Sequence, residues 1–467
     1  MNKKNLIPII LLSVLAVALL AVYLIVTKSP KPGNGQENKP SYFVIREIPT
    51  DRVDRLQIKT GNFEGVFVRE GEEWRHEENA FPVNQLSVGV IISIVASHLN
   101  AFERVKNPTS LSDYGFDNPN AVLWLYAGGE QLLRLSVGNK IPTQERYYAM
   151  VDGDDTVYIV SDNYYNYLVK DRSDFLENVK LPEIEEWTLL REITITEEDT
   201  VTFHAIYDEH NPYDYSGVGM FSWMIKEPLN GFSNADLNGN TWYDLLQRYL
   251  SVTYDRTVAY RPASYGTYGL DHPTTSITVR YADKFGREDY SYTMDFGSQT
   301  GDGGIYMRLR NMEWVFRMSN EAAAKWKDIT IFDVCHKTVF FPSGNTFNRI
   351  VITAGGKRYE LVNTHASSDS PVYTINGMTM PDDVFNEWSR AILSLKYSEM
   401  VHDGTPGAEV MTIETEVADQ SLHKNMRIVF YTFTDSVYLV SVNDKFDFAI
   451  DVRKINDFIA FMEDLVD

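Results

Sequence analysis

The chain has 467 residues, of which 44% are hydrophobic and 23% charged, so a largely disordered protein is excluded. Lysine and arginine number 43 against 65 aspartate and glutamate residues; the net charge of −22 excludes nucleic acid or an anionic membrane surface as the main partner, since both need a basic footprint. The single cysteine, Cys335, excludes an intrachain disulfide and a multi-cysteine metal site.

The first predicted element is a membrane anchor, assigned to residues 1–28. Residues 6–27 are uncharged, and as a helix they would extend about 33 Å, enough to cross a hydrocarbon core of about 30 Å. The alternative is a cleaved signal peptide, whose apolar region usually has about 7–15 residues. Lysines flank the run on both sides, so charge decides orientation weakly. We expect a single-pass protein of the cell membrane, in contact with the bilayer through residues 6–27, with its C-terminal part extracytoplasmic.

Residues 29–42 are predicted to be a flexible linker, because residues 29–41 are rich in Pro, Gly, Asn and Lys and carry no large apolar side chain. A threefold repeat follows, at residues 43–182, 183–345 and 346–467, with the third copy divergent. Each copy has an alternating strand, a hairpin with an aromatic residue (Trp74, Trp223 or Tyr373), a main helix and further strands. The predicted fold class is α+β: an N-terminal transmembrane helix followed by three tandem, related modules dominated by antiparallel strands with one main helix each.

The main helices show different apolar patterns. The first, over about residues 83–102, is apolar on all sides and is expected to be buried. The other two have apolar residues at helical spacing: Trp242, Leu245, Leu246 and Tyr249 in one, and Phe385, Trp388, Ile392 and Leu395 in the other. A short closing helix is clearest at residues 453–464.

Two copies share a sharper signature, Tyr-Gly-Phe-Asp-Asn-Pro at residues 114–119 and Tyr-Gly-Leu-Asp-His-Pro at residues 268–273. Strands ending in Gly138 and Gly297 follow, and then a pair of tyrosine-bearing strands. These features resemble the bacterial domain-of-unknown-function family 4340 over most of the first two copies and more faintly the third. The resemblance implies membrane proteins with tandem β-rich modules, whose genes often lie near ABC-type transporters, including gliding-motility-type export systems. It implies no catalytic residues.

Three candidate sites contain several carboxylates or amides. Asp117 and Asp271 of the signatures could be paired acids, but Gly, Asp and Pro at this spacing favour a turn. Residues 234–240 resemble the front half of a calcium loop, yet Leu245 stands where the bidentate glutamate should be, so a polar loop before a helix is favoured. Residues 152–155 form an Asp-Gly-Asp-Asp cluster typical of a hairpin turn.

Other candidates also favour structural roles. The glycine-rich stretches 301–304 and 355–357 lack the complete phosphate-loop pattern and are expected to connect strands. Cys335 and His336 are neighbours whose side chains would point apart in an extended segment. We therefore predict no catalytic, cofactor-binding or metal-binding residues and no enzyme activity.

The clearest candidate for a partner contact is an insertion at residues 208–220, which only the second copy carries and which is rich in tyrosine. We expect a non-enzymatic interaction or accessory module with protein partners, namely subunits of an ABC-type transport or export assembly. The alternative is an envelope ligand-binding protein for glycan, peptide or cation. An envelope hydrolase is disfavoured, because no acid/base constellation emerges from the sequence.

Overall fold

The computed structural model describes residues 42–106, 108, 110–215, 220–229, 233–235, 240–343, 346–364, 372–401 and 404–466. These residues form two compact units. The smaller unit contains the described residues up to Glu73 together with Val88–Lys170, and the larger unit contains Trp74–Ser87 together with the described residues of Asp171–Asp467. Each unit is therefore built from two separate stretches of chain.

Among the described residues up to residue 168, the strands number ten and the α-helices two. They are β1 (Phe43–Arg46), β2 (Arg55–Thr60), β3 (Glu64–Glu70), β4 (Glu73–His76), α1 (Gln85–Ser97), β5 (Leu99–Ala101), β6 (Glu103–Arg104), β7 (Ala121–Ala127), β8 (Glu130–Lys140), β9 (Arg146–Val151), β10 (Val157–Ser161) and α2 (Asp162–Leu168). The unit boundary falls within β4 and within α1, so both elements contain residues of the two units.

The rest of the chain is also mainly strands. The elements are β11 (Leu190–Glu197), β12 (Thr200–Tyr207), β13 (Trp223–Glu227), β14 (Ser233–Asn234), α3 (Asn240–Arg248), β15 (Arg256–Tyr260), β16 (Thr275–Ala282), β17 (Asp289–Gln299), β18 (Gly304–Leu309), β19 (Trp314–Ser319), α4 (Asn320–Lys327), α5 (Ile331–Val334), β20 (Phe347–Ala354), β21 (Lys357–Asn363), β22 (Tyr373–Ile375), β23 (Met378–Thr379), α6 (Asp382–Leu393), β24 (Glu399–Met400), β25 (Glu409–Val417), β26 (Arg427–Thr432), β27 (Val437–Val442), β28 (Lys445–Asp451) and α7 (Val452–Asp464).

The strands form antiparallel sheets. In the smaller unit β1 pairs with β5, and the other strands follow the order β3-β2-β7-β8-β9-β10-β6. The larger unit contains two nine-stranded sheets: the second sheet, β14-β13-β12-β11-β16-β17-β18-β19-β15, and the third sheet, β23-β22-β21-β20-β25-β26-β27-β28-β24. Counted along the chain, the first strand of each sheet pairs with the second and the sixth strands. The fifth strand lies at the edge of the sheet and pairs with the ninth.

Alternation along the strands gives each sheet a buried face. In β11, Ile193 and Ile195 are buried while Glu192 and Thr194 lie on the other face. The hairpin aromatics pack against the main helices on the buried side. The Trp223 and Trp242 ring centroids are 5.4 Å apart in the second sheet region, and the stacked Tyr373 and Phe385 rings are 4.3 Å apart in the third.

The predicted main helices agree with the structure in two of three cases. The four apolar residues of the middle helix are buried around α3, and α6 buries two of its predicted residues with a third just beyond its end: Trp242, Leu245, Leu246, Tyr249, Trp388, Ile392 and Leu395. The first helix is shorter than predicted. It ends at Ser97, because Leu99–Ala101 leave the helix to pair with β1 as strand β5.

The predicted fold class is wrong as a whole. The second and third sheets belong to one compact unit, which also takes residues 74–87, so three tandem modules are not what the chain forms. The physical reason is that Tyr215 of the 208–220 insertion is buried against Phe347 of the third sheet. None of the helices within the described residues has both the length and the apolar composition needed to cross a bilayer. The predicted anchor, residues 6–27, lies outside the described residues.

The C-terminal helix α7 begins at an acidic cap. The Asp451 carboxylate accepts a hydrogen bond from the Arg453 backbone N–H at 2.8 Å and from its guanidinium at 2.6 Å and 3.1 Å. The Arg453 side chain, followed by its backbone N–H, lowers the pKa of Asp451 from 3.8 to about 2. Because the pKa is depressed in the folded state, the stabilisation is present above the unfolded pKa and is lost as the pH falls through the folded pKa.

Replacing Asp451 tests this cap. Asn can still cap a helix but carries no charge, so D451N isolates the carboxylate. We expect D451N to melt at a lower temperature than the unsubstituted chain at pH 7, with the difference shrinking as the pH falls from 3.8 toward about 2. Thermal unfolding followed by circular dichroism measures it, with D435N, an exposed aspartate, as the control. A difference that does not change over that pH range would contradict the assignment.

Candidate interaction site

Residues 208–215 of the insertion form a segment that we call the strap. It begins where the Asp208 N–H donates to the Ser222 carbonyl at 2.7 Å, next to the β12–β13 ladder. Asn211, which is 4% exposed, holds the turn: its side-chain amide donates to the Phe221 carbonyl, and its Oδ1 accepts from the Tyr213 N–H at 3.0 Å. Local polar contacts therefore hold the N-terminal part of the strap, and its C-terminal end contacts the third sheet.

Tyr215 joins the strap to the region of the third sheet. Its carbonyl accepts from the Ser343 N–H at 3.0 Å and from the Thr346 hydroxyl at 3.3 Å, and its phenol donates to the Lys424 carbonyl at 2.8 Å. The Lys424 N–H donates in return to the Pro212 carbonyl at 3.2 Å. Four hydrogen bonds thus connect the strap to residues that lie more than a hundred positions further along the chain.

The Tyr215 ring is part of the core between the two sheets. It is 4% exposed, and its centroid lies 5.3 Å from that of Phe347 and 6.0 Å from that of His423. Burial, with a smaller effect of Tyr213, raises the pKa of Tyr215 far above its usual value. The phenol therefore stays protonated and remains a hydrogen-bond donor at neutral pH.

A small cavity lies behind the strap. It has a volume of about 70 Å³, and Phe221, His336, Phe341 and Tyr397 are among its lining residues. The Phe221 ring packs edge-on against His336 at 4.5 Å and against Phe341 at 5.7 Å. A space of this size has room for a few water molecules and is well below the size of an ordinary ligand site. The inner side of the strap is consequently a packed joint.

The outer side of the strap forms one wall of an open cleft of about 390 Å³. Its floor is the pair Ile206 and Met224, which lie directly opposite each other in the β12–β13 ladder. The strap contributes Asp208, Pro212 and Tyr213, while Lys226 and Lys424 complete the lining. We call this space the strap cleft.

A β-bulge directs Lys226 toward the cleft. Along the ladder, His204 is opposite Glu227 and Ala205 is opposite Ile225, so Lys226 is the extra residue on β13. Bulges re-aim a side chain in this way. Lys424 reaches the cleft from the other sheet, with its ammonium 5.8 Å from the Tyr213 ring centroid. Within the described residues, neither lysine has a carboxylate partner, and Asp208 accepts the His210 N–H at 2.9 Å.

Two carboxylates of the second sheet, Glu192 and Asp295, are paired with cations. Glu192, opposite Ile206 in the sheet, accepts from Arg280 at 2.6 Å and lies 3.0 Å from the ring nitrogen of His204. Farther along the same face, the fully buried Asp295 carboxylate accepts from the guanidinium of Arg310 at 3.0 Å. The two cleft lysines therefore differ from Arg280 and Arg310 on this face, which are paired with carboxylates.

The signature elements of both units form turns. Asp117 and Asp271 are exposed and belong to different units, and Gly115 and Gly269 each end a short 3-10 helix with a positive φ, 83° and 69°. The prediction that these elements form turns is therefore correct.

The three separate pieces of the signature meet in space. An added Cβ on Gly138 would lie 2.1 Å from the Tyr114 carbonyl oxygen, and one on Gly297 would lie 2.2 Å from that of Tyr268. The same tyrosines pack edge-on against the tyrosine strands, Tyr114 against Tyr148 at 4.8 Å and Tyr268 against Tyr306 at 5.1 Å. The sequence contains the pieces but does not reveal their contact, since the steric limit appears only when strand and turn are brought together.

The other candidates fall where turns were expected. Residues 152–155 connect β9 to β10, residues 301–303 connect β17 to β18, and Gly355 and Gly356 connect β20 to β21 with φ of 59° and 78°. Cys335 is 1% exposed. Of the proposed calcium loop, residues 236–239 lie outside the described residues. In the part of the chain that the structure describes, no three His, Cys, Asp or Glu side chains are grouped as metal ligands would be.

Comparison with known proteins supplies a family but no activity. The family model described as a domain of unknown function (DUF4340) matches residues 74–205 and 229–411, which is more than half of the chain. This confirms the resemblance found in the signature elements. No curated protein and no solved structure gives a significant match.

Gly297 tests the signature contact. G297A places a methyl group against the Tyr268 carbonyl, so we expect unfolding free energy to fall by about 1–3 kcal/mol, the usual cost of overpacking. G301A is the matched control, because an added Cβ there meets nothing within 4 Å. Urea unfolding compares the two variants. Equal stability would show that the close approach of Gly297 to the Tyr268 carbonyl does not affect the free energy of unfolding.

Tyr215 tests the strap joint. Y215F removes the hydrogen bond to the Lys424 carbonyl and keeps the ring, so we expect a loss of about 1 kcal/mol of stability. Y243F, at a tyrosine that is 47% exposed in the same unit, should change stability by much less. Denaturant unfolding is the measurement. If the two variants are equally stable, the phenol does not hold the strap.

Proposed function

Because the chain belongs to the DUF4340 family, whose description assigns no activity, we propose a function from the geometry of the larger unit. We propose a non-enzymatic interaction or accessory module that offers the strap cleft to a protein partner. The observation that carries this proposal is the fixed position of Tyr213 between Asn211 and Tyr215, two residues that the fold holds on both sides. A cleft wall that is already ordered lowers the entropy cost of binding.

The structure alters the role of the insertion in this proposal. Sequence analysis expected its aromatic residues to face a partner, but Tyr215 and Phe221 are 4% and 2% exposed and pack within the chain. What is left for a partner is the outer side, with Tyr213, Pro212 and the two lysines. The proposed contact is therefore the cleft that the strap creates, rather than the strap's own aromatic cluster.

The partner we propose is a subunit of an ABC-type transport or export assembly, met outside the cytoplasm. The gene setting of the family resemblance supports the choice of partner. The single cysteine of the chain is compatible with an extracytoplasmic place. The size of the cleft, about 390 Å³, suits a short stretch of a partner chain.

Photo-crosslinking at the cleft tests the proposal. With benzoylphenylalanine in place of Tyr213 in the full chain, expressed in its host, we expect irradiation to join it to a transporter or export subunit that detergent extraction and mass spectrometry identify. The same substitution at Tyr243, which is exposed and does not line the cleft, is the control. Absence of any adduct that is stronger at Tyr213 than at Tyr243 counts against the interaction role.

A ligand-binding protein is the second candidate, and the cleft volume favours it, because about 390 Å³ lies within the range of small-molecule sites. Thermal unfolding with and without added glycans or calcium separates the two functions. Stabilisation by one of these additives that disappears in Y213A would favour the ligand-binding function over the protein-interaction function.

A further inference from the structure

The lysines of the strap cleft point to the chemistry of its occupant. Lys226 and Lys424 both line the cleft and are exposed, and the described residues provide them with no salt-bridge carboxylate. The lining residues include one carboxylate, Asp208, which already accepts the His210 N–H at 2.9 Å. Two lysines against one aspartate leave the lining of the cleft positive in a chain whose net charge is −22.

The apolar floor adds a second requirement. Ile206 is only half-buried, as are Pro212 and Tyr213 of the strap, whereas Met224 beside Ile206 is 6% exposed and already covered. Tyr213 and Pro212 of the strap face this pair across the cleft. An occupant that carried charge alone would leave this apolar surface without a partner, so the occupant should also bring an apolar side chain.

Overall charge does not oppose an acidic occupant at this position. The field of the other carboxylates is screened beyond a Debye length of about 8 Å at physiological salt, whereas an ammonium in contact with a carboxylate is screened much less. A lysine ammonium is also a point charge without the planar geometry of arginine, so it can pair with a carboxylate in several orientations.

We infer that the strap cleft takes a short acidic segment of a partner protein, with one or two carboxylates at Lys226 and Lys424 and an adjoining apolar side chain on the half-buried Ile206 beside Met224. The inference rests on the proposed function and specifies its partner. The two observations behind it, the cations without carboxylate partners and the apolar pair between them and the strap, are independent of the family resemblance.

Peptide binding tests the inference on the full chain. The probes are a fluorescein-labelled peptide of alternating leucine and glutamate and a counterpart of alternating leucine and lysine, followed by fluorescence polarisation. We expect the acidic probe to bind and the basic probe not to bind. K226E and K424E should each weaken the acidic probe about fivefold or more, because each replaces an attraction by a repulsion. K284E, at an exposed lysine of another hairpin, should leave binding within about twofold.

Neutral variants show whether a loss of binding comes from the lost charge or from misfolding. K226Q and K424Q keep the side-chain length, and thermal unfolding verifies that they fold. Equal binding of the acidic probe to K226Q/K424Q and to the unsubstituted chain would overturn the inference, as would tighter binding of the basic probe. The crosslinking experiment separates the two proposals. An adduct at position 213 that survives in K226E/K424E would keep the interaction role and reject the acidic partner. An adduct that is lost only in K226E/K424E supports the acidic partner, whereas the absence of any adduct with both lysines in place would reject the interaction role itself.

Discussion

The hydrogen bonds and ring packing of Tyr215 are the contact on which the larger unit depends. One residue of the second sheet region meets the backbone of Ser343 and Lys424 and the ring of Phe347. A buried phenol left without its acceptor costs more than the bond itself gains, so the joint favours one arrangement of the two sheets. The strap cleft exists only because this joint holds Tyr213 beside Lys424.

The sheets share a common framework but differ in the buried polar side chains beside it. The second and third sheets share one strand order, and the signature glycines Gly138 and Gly297 approach equivalent tyrosine carbonyls in two sheets. Next to those glycines the sequence differs: Ser136 stands in one sheet where the fully buried Asp295 stands in the other and pairs with arginine. Breaking such a buried pair is costly, so it fixes local structure without implying a reaction.

Local patterns predicted the parts of the structure that depend on near neighbours. Trp242, Leu245 and Leu246 were assigned to one helix face from their spacing, and they are buried there. The turn at residues 152–155 was assigned from Asp-Gly, and it connects two paired strands. The first helix was predicted too long, because Leu99–Ala101 are apolar enough for either state and pairing with β1 decided between them.

Sequence alone determined the family, the strand alternation, the turns and the helical faces, since each follows from residues within a few positions of one another. Only the tertiary structure decided that the insertion is a joint, because its partners Thr346 and Lys424 lie 131 and 209 positions away from Tyr215. The tertiary structure also creates the strap cleft, which Met224 and Lys424 both line. No periodicity links two such positions, and only burial and hydrogen bonding in the folded chain bring them together.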